Sequence, residues 1–301
     1  MRKVFVLFVL LWVGFSLSAQ DAAKFTGSLL WKISGKDLRE PSYIFATHHL
    51  APVHFLESVV GLEDALASAD QLVGELIMVD QPLIQAKLQM AAMMPAGESY
   101  KKLLSKEDYS ELDKEIKATL GVGLDQMGMF KPGMLSTLYT LQLYAHTEPD
   151  YSFATHEAID TYLQKKAKKD GKLLLGLETA EEQIHALFDA SPLKGQAENL
   201  LCVARHKEHA IEAIKVLSKN YYEARLGLIF VNAYNPETSC PVDEVYQRAI
   251  NEDRNNKWLA KLPGIMKSGP SFIAVGALHL PGEIGLLYQL EKMGYQVEPV
   301  R

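Results

Sequence analysis

Cysteine is scarce in this 301-residue chain, which carries only Cys202 and Cys240. Their spacing excludes a CxxC redox or metal site and leaves two readings, one disulfide or two buried thiols. A marked excess of either charge is also lacking. The 31 basic and 37 acidic residues give a net charge of −6, which offers no reason to expect nucleic acid or an anionic membrane as a partner. No Gly-x-Ser-x-Gly elbow, P-loop or dinucleotide fingerprint occurs, so serine hydrolase, NTPase and dehydrogenase readings have little to stand on. Low-complexity tracts and solenoid-type repeats are missing as well. Beyond Phe15 no stretch is long and apolar enough to span a bilayer.

The N-terminus reads as a targeting segment. Arg2 and Lys3 are basic, Val4 to Phe15 is apolar apart from Gly14, and Ser16-Leu17-Ser18-Ala19 is a mostly small-residue exit. Cleavage is expected after Ala19; Ala22 and Ala23 are alternatives, because Leu17 suits the small-x-small rule poorly. The apolar run is shorter than the ~20 residues of a membrane span, and no cysteine follows it as in a lipoprotein. The expectation is a signal peptide over 1–19 and one exported domain over 20–301, periplasmic or secreted, without a membrane span after cleavage. The remaining ~280 residues suffice for a large core. Oligomeric state is left open.

Two distant stretches read as one piece of protein repeated. Ser42-Tyr43-Ile44-Phe45-Ala46-Thr47-His48-His49-Leu50-Ala51-Pro52 is echoed by Ser271-Phe272-Ile273-Ala274-Val275-Gly276-Ala277-Leu278-His279-Leu280-Pro281. Each is a β-rich apolar run that ends in a histidine, then leucine and proline nearby. Short strands are expected at about Leu29–Ile33, Ser42–Phe45, Gln71–Gly74, Lys172–Gly176, Ser271–Val275 and Tyr295–Val300. Ser34–Pro41 reads as a hairpin loop, and each histidine copy opens a βαβ unit. Two insertions, about 81–169 and 179–262, look helical. Ser105 with Asp108 and Thr179 with Glu182 supply capping pairs, and Pro132 sits just inside a helix start. The fold class expected is α/β: duplicated βαβ units in a mixed central sheet, with large helical insertions forming a cap.

On that map the ionisable residues gather at strand ends. His48 and His49 follow the second strand, Glu75 the third, Glu178 the fourth and His279 the fifth. Parallel neighbours would bring these ends to one sheet edge, where α/β proteins bind ligands. Two imidazoles with a carboxylate suit a divalent ion with positions open to water, and such an ion supports hydrolysis. A remaining carboxylate can act as general base. Glu178 directly precedes a capping box, so a helix N-terminal role competes for it. Glu75 lies in an apolar run where an uncompensated carboxylate is costly. His156-Glu157 is half of a zincin pattern and reads as a solvated helix face, as do His206 and His209.

At these residues the chain resembles the TraB/GumN family, exported bacterial relatives of the TIKI metalloproteases, marked by two Gly-x-x-His motifs with a glutamate between. Gly276-Ala277-Leu278-His279 matches the second in full. Ala46-Thr47-His48-His49 matches the first with alanine for glycine, and its register selects His49 rather than His48. Glu75 stands at the family glutamate, Leu177-Glu178-Thr179 resembles its Leu-Glu-Thr, and Arg254-Asn255-x-x-Trp258 its Arg-Asn-x-x-Trp. The resemblance implies a fold of the erythromycin esterase and haem-binding ChaN type. It also implies a Mn- or Co-dependent peptidase activity of the kind in the animal TIKI branch.

Two functions follow as expectations. The first is an exported metal-dependent hydrolase, a peptidase, acting on a peptide or a small amide or ester. His49, His279 and Glu75 would be ligands to Mn, Co or Zn; Glu75, Glu178 and Arg254 would be catalytic, Arg254 as a carboxylate or oxyanion clamp. The alternative is a non-catalytic extracytoplasmic binding protein that sequesters a peptide or haem-like ligand.

Overall fold

The computed structural model describes residues 25–148, 151–152, 155–235, 238–240 and 242–301. The proposed signal segment therefore lies outside the described residues. Six strands form one sheet in the order β4-β3-β5-β2-β1-β6. They are β1 (Leu30–Ser34), β2 (Ser42–Thr47), β3 (Gln71–Gly74), β4 (Leu173–Gly176), β5 (Ser271–Gly276) and β6 (Gln296–Pro299). Each coincides with an expected strand to within one or two residues. The β1–β2 pair is the expected antiparallel hairpin, and its loop turns through Gly35 and Lys36, both at positive φ. β4, β3, β5 and β2 run parallel, and β6 pairs antiparallel with β1, so the sheet is mixed.

The two echoed stretches are neighbours. β2 and β5 pair in parallel with Tyr43 opposite Phe272 and Thr47 opposite Gly276, and the Ser271 amide donates to Ser42 Oγ at 3.1 Å. Each copy opens a βαβ unit whose return strand is not its neighbour. The crossover from β2 to β3 through α1 (Leu62–Ser68) skips β5. This interleaving makes the two histidine-bearing strands adjacent. Both are buried on their two faces, as expected of central parallel strands. Phe45 and Phe272 are fully buried with ring centroids 6.1 Å apart, each contributing roughly 1.5–3 kcal/mol by burial.

The insertions leave from the carboxyl ends of β3 and β4. The first holds α2 (Pro82–Ala91), α3 (Lys106–Leu120), α4 (Pro132–Thr147) and α5 (Ile159–Lys169). The second holds α6 (Ala180–Ile184), a π-turn at His185–Asp189, α7 (Leu193–Arg205), α8 (Lys207–Tyr222), α9 (Leu226–Ala233), α10 (Glu244–Ile250) and most of α11 (Glu252–Ser268). A final helix, α12 (Leu286–Lys292), joins β5 to β6. Sequence signals explain several starts: Ser105 Oγ accepts the Asp108 amide, Pro132 is the first residue of α4, and Thr179 with Glu182 forms a complete capping box. Tyr139, Leu112 and Leu135 of the first insertion share a second core with Leu200 and Leu201 of the other.

Cys202 and Cys240 form a disulfide, the first of the two readings open in the sequence. Two helix assignments differ from expectation. α5 starts at Ile159 with Ala158 as its N-cap, so His156 and Glu157 precede the helix rather than lie on it. His206 sits at the break between α7 and α8.

Candidate functional site

Four strand ends and the first turn of α11 meet at one edge of the sheet. Glu75 leaves β3 and is held at both oxygens: the Gly276 amide donates to Oε1 at 2.7 Å and Arg254 Nη2 to Oε2 at 2.5 Å. Glu178, just past β4, accepts from Arg254 at both oxygens, Nη2 to Oε1 at 2.6 Å and Nε to Oε2 at 2.9 Å. It therefore serves the guanidinium and not the adjoining helix start, whose cap is Thr179. Arg254 Nη1 also lies 3.1 Å from His279 Nε2, and the guanidinium stacks on Trp258 at 4.7 Å. One arginine thus gathers Glu75, Glu178 and His279, all buried or nearly so.

The tautomer of His279 follows from its partners. Asn255 Nδ2 donates to the carbonyls of His279 and Ile284, which can only accept, at 3.2 and 2.9 Å. Asn255 Oδ1 is therefore the atom 2.8 Å from His279 Nδ1, which must carry the proton. The Nε2 lone pair then faces the site, where Arg254 donates to it and Glu75 Oε1 stands 3.8 Å away. Burial holds this imidazole down at about 4, with Arg254 adding to that effect and Glu75 opposing it, so it is neutral at physiological pH.

His49 stands at the rim with a side chain 66% exposed, its Nδ1 2.8 Å from Asp160 Oδ2. Thr47 Oγ1 donates to the other Asp160 oxygen at 2.7 Å. Asp160 raises His49 to about 9 against the opposing effect of desolvation, a rise that solvent screening at the rim reduces. His48 turns the other way: its ring centroid is 5.1 Å from that of Tyr221, its buried Nε2 has no partner among the described residues, and burial lowers it to about 4. The alternation of side chains leaving a strand separates the neighbours.

The carboxylates are pushed apart as well. Burial alone would raise Glu75, but His279, Arg254 and the Gly276 amide outweigh it and hold the group at about 2. Glu178 is raised, because burial outweighs the guanidinium. A 140 Å³ pocket at this edge is lined by His49, Glu75, Asp160 and Met78, with Thr161 of α5 and Gln183 of α6. Gly276 sits at the closest approach: a Cβ there would lie 3.2 Å from Glu75 Oε1. Ala46, its counterpart in β2, is buried in ordinary strand conformation, and its carbonyl accepts from Tyr221. The methyl at the first motif is simply core.

The donor chemistry of the two histidines suits a divalent ion. His279 has Nδ1 engaged by Asn255, which leaves Nε2 as the ligand atom, the orientation typical of metal-ligating histidines, whereas His49 is ion-paired with Asp160 and would have to lose its Nε2 proton to bind. Among the described residues, however, no three His, Cys, Asp or Glu side chains stand as a closed metal-holding group. The centre is filled by Arg254. Asp160 and Asn255, the histidine partners, and Trp258, the stacking surface, are not among the residues expected at the site. Asn255 and Trp258 carry a signal, since both belong to the Arg254-Asn255-x-x-Trp258 pattern, whereas nothing in the sequence distinguishes Asp160 from any other acid at a helix start.

Fold and site together define an α/β protein whose interleaved strands deliver paired His and Glu residues to an arginine at one sheet edge. The TraB/PrgY/gumN family profile matches residues 29–299, and the chain belongs to that family. No curated protein and no solved structure matches it. Among the described residues no helix is long and apolar enough to cross a membrane.

Proposed function

We propose that this chain is an exported hydrolase of peptide or related amide bonds whose working residues are Glu75, His279, His49, Arg254 and Glu178. The observation that carries the reading is the pairing of Glu75 with His279. A buried ionised carboxylate and a buried neutral imidazole stand 3.8 Å apart, on strands joined only through the tertiary fold. Titratable groups with such opposed environments are the usual acid/base partners of a reaction. Glu75 is ionised, so a water beside it finds an acceptor for its proton there, and His279 can share that role only once Arg254 leaves its Nε2. Arg254 is locked by paired bonds to Glu178, and its other N–H groups are taken by Glu75, His279 and the Ile250 carbonyl, so it can hold a developing oxyanion only by releasing Glu75 or His279.

A divalent ion, when bound, would be held by His49, His279 and Glu75 and would supply an acidified water and a polarised carbonyl. For His279 to serve as a ligand, Arg254 gives up its contact with Nε2 and stays on Glu178. Asn255 keeps His279 in the required tautomer, and His49, held protonated beside Asp160, would release its Nε2 proton on binding. The filled centre favours the second reading, a binding protein for a peptide or haem-like ligand without turnover.

Elemental analysis of the purified protein for Mn, Co and Zn, together with cleavage of a fluorogenic peptide library with and without chelator, separates the two. The hydrolase reading expects bound metal and cleavage that is lost on chelation and in His279→Ala. Metal-free protein that cleaves nothing, and whose ligand binding ignores both treatments, would leave only the binding role.

A further inference from the structure

A second cavity, of 790 Å³, lies away from the sheet edge, within the helical layer between α4, the π-turn, α7 and the start of α10. None of the residues of the candidate site lines it. Its volume falls in the range of sites for drug-sized ligands. Gly133 lets the wall close on itself, since a Cβ there would meet Gln196 Oε1 at 3.0 Å, and Leu141, Leu187 and the Cys202–Cys240 bridge make the cavity largely apolar.

The walls are fixed in place rather than loosely apposed. The Gln196 side chain ties three of them: Oε1 accepts the Gly133 amide at 3.0 Å, while Nε2 donates to the carbonyls of Phe188 and Ser191 at 3.0 and 2.6 Å. The disulfide pins the segment before α10 to α7. Asp243 caps α10 through the Val245 amide and accepts from Ser191 Oγ at 3.3 Å. Part of the wall is the π-turn, a helical distortion that is frequent at functional sites.

The charged side chains that line this cavity have one sign. They are Glu198, Asp243 and Glu244, and no Lys, Arg or His is among the described lining residues. Among the described residues the cation paired with Glu198 is Lys194, at 3.8 Å, and both side chains are largely exposed. We infer that this cavity is a binding site for a small amphiphile with an apolar chain and a cationic head, of the alkylamine or quaternary ammonium class. The chain is taken up by the apolar interior, and the head is held by the acids at the mouth. An anionic head of the same size would meet three like charges.

The inference stands apart from hydrolysis and is tested by binding alone. Decyltrimethylammonium, decan-1-ol and decanoate share one chain length and differ in head charge. Each is titrated calorimetrically into the purified full-length protein below its micelle concentration. The expected result is one saturable site for the cation, at least about tenfold weaker binding of decanoate, and a preference that shrinks with added salt. Thr140→Trp, which fills the cavity, should abolish the site with the circular dichroism spectrum unchanged. Glu198→Lys combined with Glu244→Lys should reverse the order of cation and anion. Absence of a saturable site, equal binding of all three probes, or binding indifferent to these substitutions would overturn the inference. If Thr140→Trp fails to fold, the charge reversal decides, because it alters only mouth residues.

Discussion

The Gly276 amide donates to Glu75 Oε1 at 2.7 Å, joining residues 201 positions apart. A glycine is required there by space and not by backbone conformation, since a Cβ would sit 3.2 Å from that oxygen and 3.5 Å from His279 Cδ2. Gly276→Ala should therefore displace Glu75 and cost about 1–2 kcal/mol, as overpacking does. Ala46→Gly, at the matching place in the first histidine motif, loses a buried methyl and adds backbone entropy, so it should cost about 1–2 kcal/mol without moving Glu75. Urea midpoints together with cleavage rates test this, and a loss of activity in Ala46→Gly equal to that in Gly276→Ala would contradict it.

Arg254 is the cation for two buried carboxylates. Arg254→Met leaves Glu75 and Glu178 without it and should destabilise by about 3–5 kcal/mol. Arg254→Lys keeps the charge but not the paired geometry, and should fall between the variant and the parent. In the double variant Arg254→Met/Glu178→Gln, part of the loss should be recovered. Chemical denaturation of the full cycle reads the coupling, and additive effects would argue against it.

Stability should fall on mild acidification. In the unfolded chain His279 takes up a proton near 6.5, but in the folded protein only near 4. Between those values the unfolded state binds more protons, so stability drops as pH falls through the window and levels off below about 4. The loss is on the order of 3 kcal/mol. His48, also lowered to about 4 by burial, acts in the same direction, while Glu178, raised by burial, opposes it at the acid end. Thermal unfolding at pH 7.5 and pH 5 should show a smaller difference for His279→Gln than for the parent, and an unchanged difference would exclude His279 as the source.

His49 and His48 should separate by assay. His49 is largely exposed at the rim, so His49→Ala should reduce metal content and cleavage about 100-fold or more while barely moving the denaturation midpoint. His48→Ala removes a ring packed on Tyr221 and should cost about 1–3 kcal/mol with metal content preserved. The reverse pattern would move the site to His48.

Asp160→Asn should retain the Thr47 contact and weaken the hold on His49. The expected result is metal affinity lower by about 10-fold, with little change in stability, because such outer partners orient ligands more than they support the core. Titration with Co followed by visible absorption gives the affinity, and an unaltered value would leave Asp160 a merely structural acid.

Much of this protein is decided by local sequence. Alternating and apolar runs with glycine or proline at their ends set six short strands, and capping residues such as Ser105 and Thr179 set helix starts, because both act over a few neighbouring residues. The echo of Ser42–Pro52 in Ser271–Pro281, with Glu75 and Glu178 at strand ends, named in advance the residues that meet at the sheet edge. The partners were not legible in this way. That β5 inserts between β2 and β3, that Arg254 reaches Glu75, Glu178 and His279 together, and that Asp160 and Asn255 set the two imidazoles all depend on contacts across long stretches of chain. The same holds for the cavity in the helical layer, whose walls come from segments that are apolar or polar for local reasons and enclose space only once packed. Local preference determines which elements form and where they end. Strand order, the sign of charge in a pocket and the protonation of a buried group are set by what tertiary packing brings alongside, because desolvation and Coulomb interactions depend on distance in space and not on separation along the chain.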